Sequence, residues 1–310
     1  MSSRTKALIA IVIASVLWAT SGVSAKLLVQ VLNPFVAAFY RFLIASLCIL
    51  PFFLRAKKPK GYLKNLIPLG LLSTANIIFF YIGMTTTTAN AAALVYAGIP
   101  LATALLAKLF IKEEVSRKKF LGVLIGLIGV VFIVVLPVLD RSNQLVGDLR
   151  GNIFIFLGLL SWSTYTIFSR KYLLSGTYTP FLMVGVSFFT NCAVTLTISL
   201  ITRQQFFPAG ALTFQFLLIL IYTGVVLTFV TYGLFQWAIQ HVSATTASLK
   251  NYLEPVLGVG FNSMLLGETM TAGFLVGSVL VIAGTAIATG NKLVEQGKKL
   301  LQKLFVKGRA

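Results

Sequence analysis

The segment "LEPVLGVGFNSMLLGETMTAGFL" at 253–275 decides the architecture once it is set beside "GIPLATALLAKLFIKEEVSRKKF" at 98–120. A shift of 155 positions aligns Pro100 with Pro255, Glu113 with Glu268, Gly122 with Gly277 and Gly129 with Gly284. In the same register Ala89 and Ala92 fall on Ala244 and Ala247. Near the start of each half, a shift of 144 pairs Trp18 with Trp162, Thr20 with Thr164 and Lys26 with Arg170. The chain therefore reads as a duplicated unit. The copies differ in charge: the first stretch ends in the basic "KEEVSRKKF", the second in "GETMTAGFL", which has no basic residue.

The surrounding sequence says what medium the unit lives in. Of 310 residues, 57% are hydrophobic and 11% charged, where a soluble domain carries about 25% charged residues. Apolar runs long enough to cross a bilayer, which takes about 20 helical residues each, cover 7–29, 34–54, 66–84, 88–110, 120–138, 152–169, 180–202, 212–239, 244–266 and 272–289. The expectation is an all-α membrane protein of ten transmembrane helices. The first run follows Arg4 and Lys6 as a signal peptide would, but it is about 23 residues long and lacks a small-residue cleavage site. It reads as a retained span.

A net charge of +19 suggests nucleic acid in a soluble protein, so the placement of the 26 basic residues matters. Most lie in alternate connections or tails: at Arg4 and Lys6, within 55–64 and 108–119, at Arg170 and Lys171, and within 292–309. The opposite connections hold only Arg141, Arg150 and Arg203. Lys and Arg stay on the cytoplasmic side, which predicts a multi-pass protein of the cell membrane with both termini cytoplasmic and needs no nucleic-acid partner. A five-helix unit is odd in number, so its second copy enters the membrane from the other side. The charges agree: five basic residues follow span 2, and Arg203 alone follows span 7. Matching sequence with opposite charge bias marks an inverted repeat, a plan that many secondary transporters use for alternating access. The expected organisation is a first repeat at 1–138, an extracytoplasmic linker at 139–150, the inverted repeat at 151–290 and a basic tail at 291–310. In that tail Leu293, Leu300, Leu301, Leu304 and Phe305 alternate with lysines, which suits an amphipathic helix on anionic lipid or a solvated tail.

A charge at the bilayer centre costs about 3 kcal/mol on insertion scales, so it faces a partner or a wet cavity. Arg41 in span 2 and Lys250 and Glu254 in "ASLKNYLEP" (247–255) sit at such depths, with Lys26 nearer the end of span 1. Lys250 and Glu254 are four apart and share a helical face. Two readings fit them. They neutralise each other structurally, or they line a central cavity and meet the carboxylate and amine of a zwitterionic small molecule. Arg41 either does similar work or ties backbone carbonyls at a helix end. Gly98 and Pro100 interrupt span 4 where Pro255 interrupts span 9, and such paired breakers point to a midplane site. Near them Asn90, Tyr96, Asn251 and Tyr252 can bond a solute or a neighbouring helix. Trp18, Trp162, Tyr40, Asn76, Phe79, Tyr81, Tyr165 and Trp237 complete the wall candidates, with Trp237 better suited to interfacial anchoring. The glycines of spans 5 and 10 let helices approach closely and read as scaffold; they also allow a homodimer.

With those residues in view, the chain resembles the drug/metabolite transporter superfamily, EamA type, along nearly all of 7–289. The resemblance rests on "LWATSGVSAK" (17–26), "PFVAAFYRF" (34–42), "LEPVLGVGFNSMLLGE" (253–268) and the glycine-rich spans 5 and 10. It departs from the pattern in having Ile99-Pro100 opposite Glu254-Pro255, Lys112-Glu113 opposite Gly267-Glu268, and a lysine at 250 that fits a subfamily's substrate. The resemblance implies transport of amino acids, other metabolites or drugs and leaves the cargo open.

Other classes find little support. There is no G-x-x-x-x-G-K-[ST] phosphate loop, so ATP is not expected to drive the protein directly. His241 is the single histidine, and Cys48 and Cys192 lie in apolar spans as packing residues, so no metal or cofactor is expected. Glu254 is the one acid placed to couple protons. A membrane enzyme needs a convergent acid, base or metal set that Arg41, Lys250 and Glu254 hardly make. A channel or flippase for lipid-like cargo needs a lipid-open groove. The reading that remains is a secondary transporter, not an enzyme, exporting a small organic solute such as an amino acid.

Overall fold

The computed structural model describes residues 3–111, 117–140, 147–208, 213–241 and 250–287, with backbone alone at 4, 111, 119, 240 and 250–253. Every element among them is helical: α1 (Ser3–Ala19), α2 (Ser21–Val29), α3 (Pro34–Arg55), α4 (Tyr62–Thr86), α5 (Ala89–Tyr96), α6 (Ile99–Ile111), α7 (Arg117–Leu139), α8 (Leu149–Leu174) and α9 (Pro180–Ile201). Then follow α10 (Phe214–Ile221), a π-helix (Tyr222–Val230), α11 (Thr231–His241), α12 (Lys250–Leu266) and α13 (Ala272–Ile287). Helix is what a lipid-facing chain must adopt, because hydrocarbon satisfies no backbone N–H or C=O. The starts are set by local chemistry. Asn33 accepts from the Phe35 amide at 3.0 Å ahead of Pro34, and Thr88, Thr179 and Thr213 cap α5, α9 and α10 in the same manner.

Among the described residues seven helices are long and apolar enough to cross a bilayer, and the α5–α6 pair makes an eighth if its 42° bend is counted as one span. The sequence anticipates ten. The two remaining runs form α12 and α13, which are shorter and abut residues outside the described set. Exposed Leu47, Leu54, Leu109, Ile128, Leu200 and Met264 give the bundle an apolar exterior, too extensive for a surface facing water.

The breaks fall partly where the breakers predict. Between α5 and α6 the chain turns at Ala97 and Gly98, and a Cβ at Gly98 would lie 2.4 Å from Val130 Cγ2. Pro255, by contrast, does not interrupt α12, which runs as one helix from Lys250 through Leu266. The paired interruption expected of the two halves is thus present in the first only. Two irregularities had no sequence signal. Thr20 separates α1 from α2, its backbone N–H bonded to Leu17 O at 3.1 Å in a tighter turn. The nine residues of Tyr222–Val230 wind as a π-helix, and Thr228 Oγ1 donates to Thr223 O, five residues back, at 2.8 Å.

Packing interleaves the early and late parts of the chain. α3 lies along α9 and the π-helix, α4 along α8 and α9, α1 along α11 and α12, and α5 against α8 and α12. α7 and α13 meet through glycines. A Cβ on Gly284 would stand 2.3 Å from the Gly126 amide nitrogen and 2.6 Å from Gly122 O, and one on Gly129 would stand 2.9 Å from Gly277 O. The two stripes are therefore used against each other, letting backbones touch where hydrocarbon supplies no hydrophobic drive to association. Gly284→Val is expected to destabilise the detergent-purified protein by about 3 kcal/mol, at the upper end of overpacking costs because backbone cannot yield. Gly260→Ala, in open space, should leave the melting temperature unchanged or higher.

Candidate functional site

One cavity of about 890 Å³, counting its mouth, opens between the early helices α1–α5 and the late elements α8, α11 and α12. Its composition follows from which helix faces converge. Trp18, Phe80, Tyr96, Trp162 and Tyr232 supply aromatic wall, small residues such as Ala19, Gly22, Ala92 and Gly258 leave the space, and Arg41, Asn76, Glu254 and Asn262 add polar groups. A mostly apolar concavity with a few placed polar atoms is the usual form of a small-molecule site.

The aromatic side is built from mutual edge contacts. Trp18 meets Trp162 edge-on at 6.3 Å between ring centroids, and Tyr232 meets them at 5.8 and 5.6 Å. Trp18 Nε1 donates to Leu227 O at 3.2 Å, which fixes the indole's rotation. The π-helix that offers this carbonyl also holds Arg41, whose Nε donates to Thr228 Oγ1 at 2.7 Å and whose Nη2 reaches Leu227 O at 3.5 Å. Arg41 is 4% exposed, and among the described residues no carboxylate lies within ion-pair distance of it.

The opposite wall is tied by amides. Asn76 Nδ2 donates to Tyr96 Oη at 2.6 Å and to Gly158 O at 2.9 Å, linking α4, α5 and α8 in one knot. Asn262 Nδ2 donates to Asn90 Oδ1 at 3.2 Å, while Asn90 Nδ2 and Asn262 Oδ1 have no partner among the described residues although each residue is 1% exposed. Beyond that pair, the Glu268 carboxylate accepts from the amides of Ala89 and Asn90 at 2.8 and 2.7 Å. It thereby caps α5 with a full negative charge at the positive end of the helix dipole. Lys26 Nζ donates to Thr87 O at 2.6 Å and Met84 O at 3.1 Å, the complementary arrangement at the end of α4.

The structure thus brings Trp18, Arg41, Asn76, Tyr96, Trp162 and Glu254 to the cavity. Tyr165 stands behind the wall, stacked on Trp162 at 5.2 Å. Tyr81 is fully buried away from it. Tyr40 lies elsewhere, donating to Phe206 O at 3.2 Å. Lys250, Asn251 and Tyr252 occupy the first turn of α12, and their side chains lie outside the described residues. Sequence reasoning passed over Tyr232, Phe80, Asn262 and Thr228. A polar Asn262 within the apolar run "GVGFNSMLL" was a usable signal; Phe80 and Tyr232 carried none among so many aromatics. The Glu113–Glu268 match flagged Glu268 without showing its role. Among the described residues no cluster of His, Cys, Asp or Glu can hold a metal ion.

Comparison with known proteins bears on what such a cavity serves. The sequence profile described as the EamA-like transporter family matches residues 5–135 and again 149–290. An "uncharacterized transporter" of Clostridium kluyveri is 28% identical, over 95% of this chain and 97% of its own. A WAT1-related protein of Arabidopsis thaliana is 25% identical, over 99% of this chain and 98% of its own. A crystal structure of a protein 18% identical superposes with a TM-score of 0.62, covering 93% of this chain and 97% of that one; it shows a shared fold.

Two substitutions probe the knots around the cavity. Glu268→Ala should cost about 2 kcal/mol, since two amides lose an ionised acceptor and each bond contributes about 1 kcal/mol at this half-buried position. Asn76→Ala should cost about 1–3 kcal/mol by removing two buried side-chain bonds, to Tyr96 Oη and to Gly158 O. Melting of the purified protein in detergent measures both.

Proposed function

The chain belongs to the EamA-like transporter family and is a multi-pass membrane transporter; from the cavity we propose that it is a secondary transporter exporting a small organic solute, such as an amino acid or related metabolite. The single observation behind this reading is the aromatic-walled space between early and late helices, faced by a guanidinium and a carboxylate. Opposite charges in one cavity suit a zwitterion, whose own charges replace the water each side chain gives up. Transport proceeds by alternating access, the two halves rocking about the bound solute while α7 and α13 stay locked through their glycines.

The finer architecture belongs to the same proposal: ten membrane helices in two inverted five-helix halves joined by the linker at 139–150, both termini cytoplasmic in the cell membrane. Two observations support it. The family profile matches the chain twice in succession. The helix contacts also come in exchanged pairs, α4 on α8 answering α1 on α11, and α4 on α9 answering α3 on the π-helix, as a pseudo-twofold axis relating the halves requires.

Purified protein in liposomes tests the function. Unlabelled amino acid trapped inside is expected to drive saturable uptake of the same labelled amino acid, and Trp162→Ala should weaken half-saturation about tenfold, equivalent to about 1.4 kcal/mol. If a panel of amino acids, their keto and hydroxy analogues, amines and sugars all fail to exchange, the secondary-transport reading is wrong. Scrambling of a fluorescent phospholipid under the same conditions would point to lipid-like cargo instead.

A further inference from the structure

Arg41 is the most expensive side chain that the cavity contains. It is 4% exposed, and a guanidinium keeps its charge at any biological pH. Its one strong bond goes to a neutral hydroxyl, Thr228 Oγ1 at 2.7 Å, and its contact to Leu227 O is long at 3.5 Å. Neither neutralises it, and its position 5.8 Å from the Phe42 ring centroid adds only a weak attraction. A buried charge left without a counter-charge is strongly unfavourable, so a purely structural tie is a poor account of a residue that also borders open space.

The surroundings hold this cation ready. Thr228 gives its own proton to Thr223 O at 2.8 Å, so its oxygen is left to accept from Arg41 Nε. That bond exists because the π-helix sets residues five apart in register, and π segments recur at functional sites. The same segment presents Leu227 O to Trp18 Nε1 at 3.2 Å. One element therefore orients both a cationic fork and the aromatic plate beside it.

We infer that Arg41 is the anion subsite of the cavity and that the transported solute carries a carboxylate there, with an apolar or aromatic body lying against Trp18, Trp162 and Tyr232. The planar fork matches a carboxylate's two oxygens. This deepens the transport reading and rests on it for the word "transported". It gives the anion-binding role, which one reading of the sequence assigns to Lys250, to a residue of the first half. With the carboxylate as the recognised group, amino acids and plain carboxylates are both ligands, while amines without a carboxylate are not.

Four probes sharing one phenyl body separate the possibilities by thermal shift and competition on detergent-purified protein: phenylalanine, 3-phenylpropionate, phenylalaninamide and phenethylamine. The first two are expected to raise the melting temperature and to compete with each other, with the last two at least tenfold weaker. Arg41→Lys should weaken 3-phenylpropionate about tenfold, and Thr228→Val, which keeps the charge but frees the fork, should weaken it severalfold. Equal or tighter binding of phenylalaninamide or phenethylamine overturns the subsite, as does unchanged 3-phenylpropionate affinity in Arg41→Lys. Binding of none of the four also overturns it. The four wild-type measurements decide the matter even if a variant fails to fold. Counterflow of a solute lacking any anionic group would sink the subsite and leave transport standing, whereas carboxylate binding without counterflow of any carboxylate would do the reverse.

Discussion

Hydrocarbon offers no hydrogen bonds, so each polar group inside the bundle must find protein, a solute or trapped water, at a cost of several kcal/mol if it finds none. Much of this molecule follows from that constraint. Buried threonines and serines return their hydroxyls to the helix below them, as Thr74 does to Gly70 O and Ser278 to Phe274 O. Some side chains that bond beyond their own helix, such as Asn76, Asn262 and Arg41, border one space.

Around that space the structure combines tight and yielding contacts. α7 and α13 touch backbone to backbone through Gly126 and Gly284, a contact with nothing soft in it. Across the cavity, the early and late helices meet instead through side chains, many of them aromatic edges. At one end a single carboxylate, Glu268, spans the gap between the loop after α12 and the start of α5. A rigid contact at one place and exchangeable polar contacts at another is the division that the proposed alternating access requires.

The π-helix links local backbone geometry to the site. An extra residue per turn sets Thr228 above Thr223 and leaves Leu227 O to accept from Trp18, Arg41 and Thr231. Three groups from separate helices are thereby oriented by one carbonyl and one hydroxyl. Shifting that segment by a residue would move the cation and the indole together, so the placement of both groups is physically coupled to the winding of this helix.

The membrane setting and the helical class were legible in the residues alone, because hydropathy adds up along the chain and needs no knowledge of packing. Gly98 and Pro100 likewise announced the bend between α5 and α6, a local steric effect. Pro255 misled: it lies inside α12, which continues past it as one helix to Leu266. The site was half legible. Trp18, Trp162, Asn76, Tyr96, Arg41 and Glu254 could be nominated as polar or aromatic groups at depth, but so could Tyr81, Tyr40 and Tyr165, which the fold turns elsewhere. Only the tertiary structure could sort them, because whether a side chain faces the cavity depends on helix rotation, on crossing geometry and on a π register for which "YTGVVLTFV" carries no visible mark.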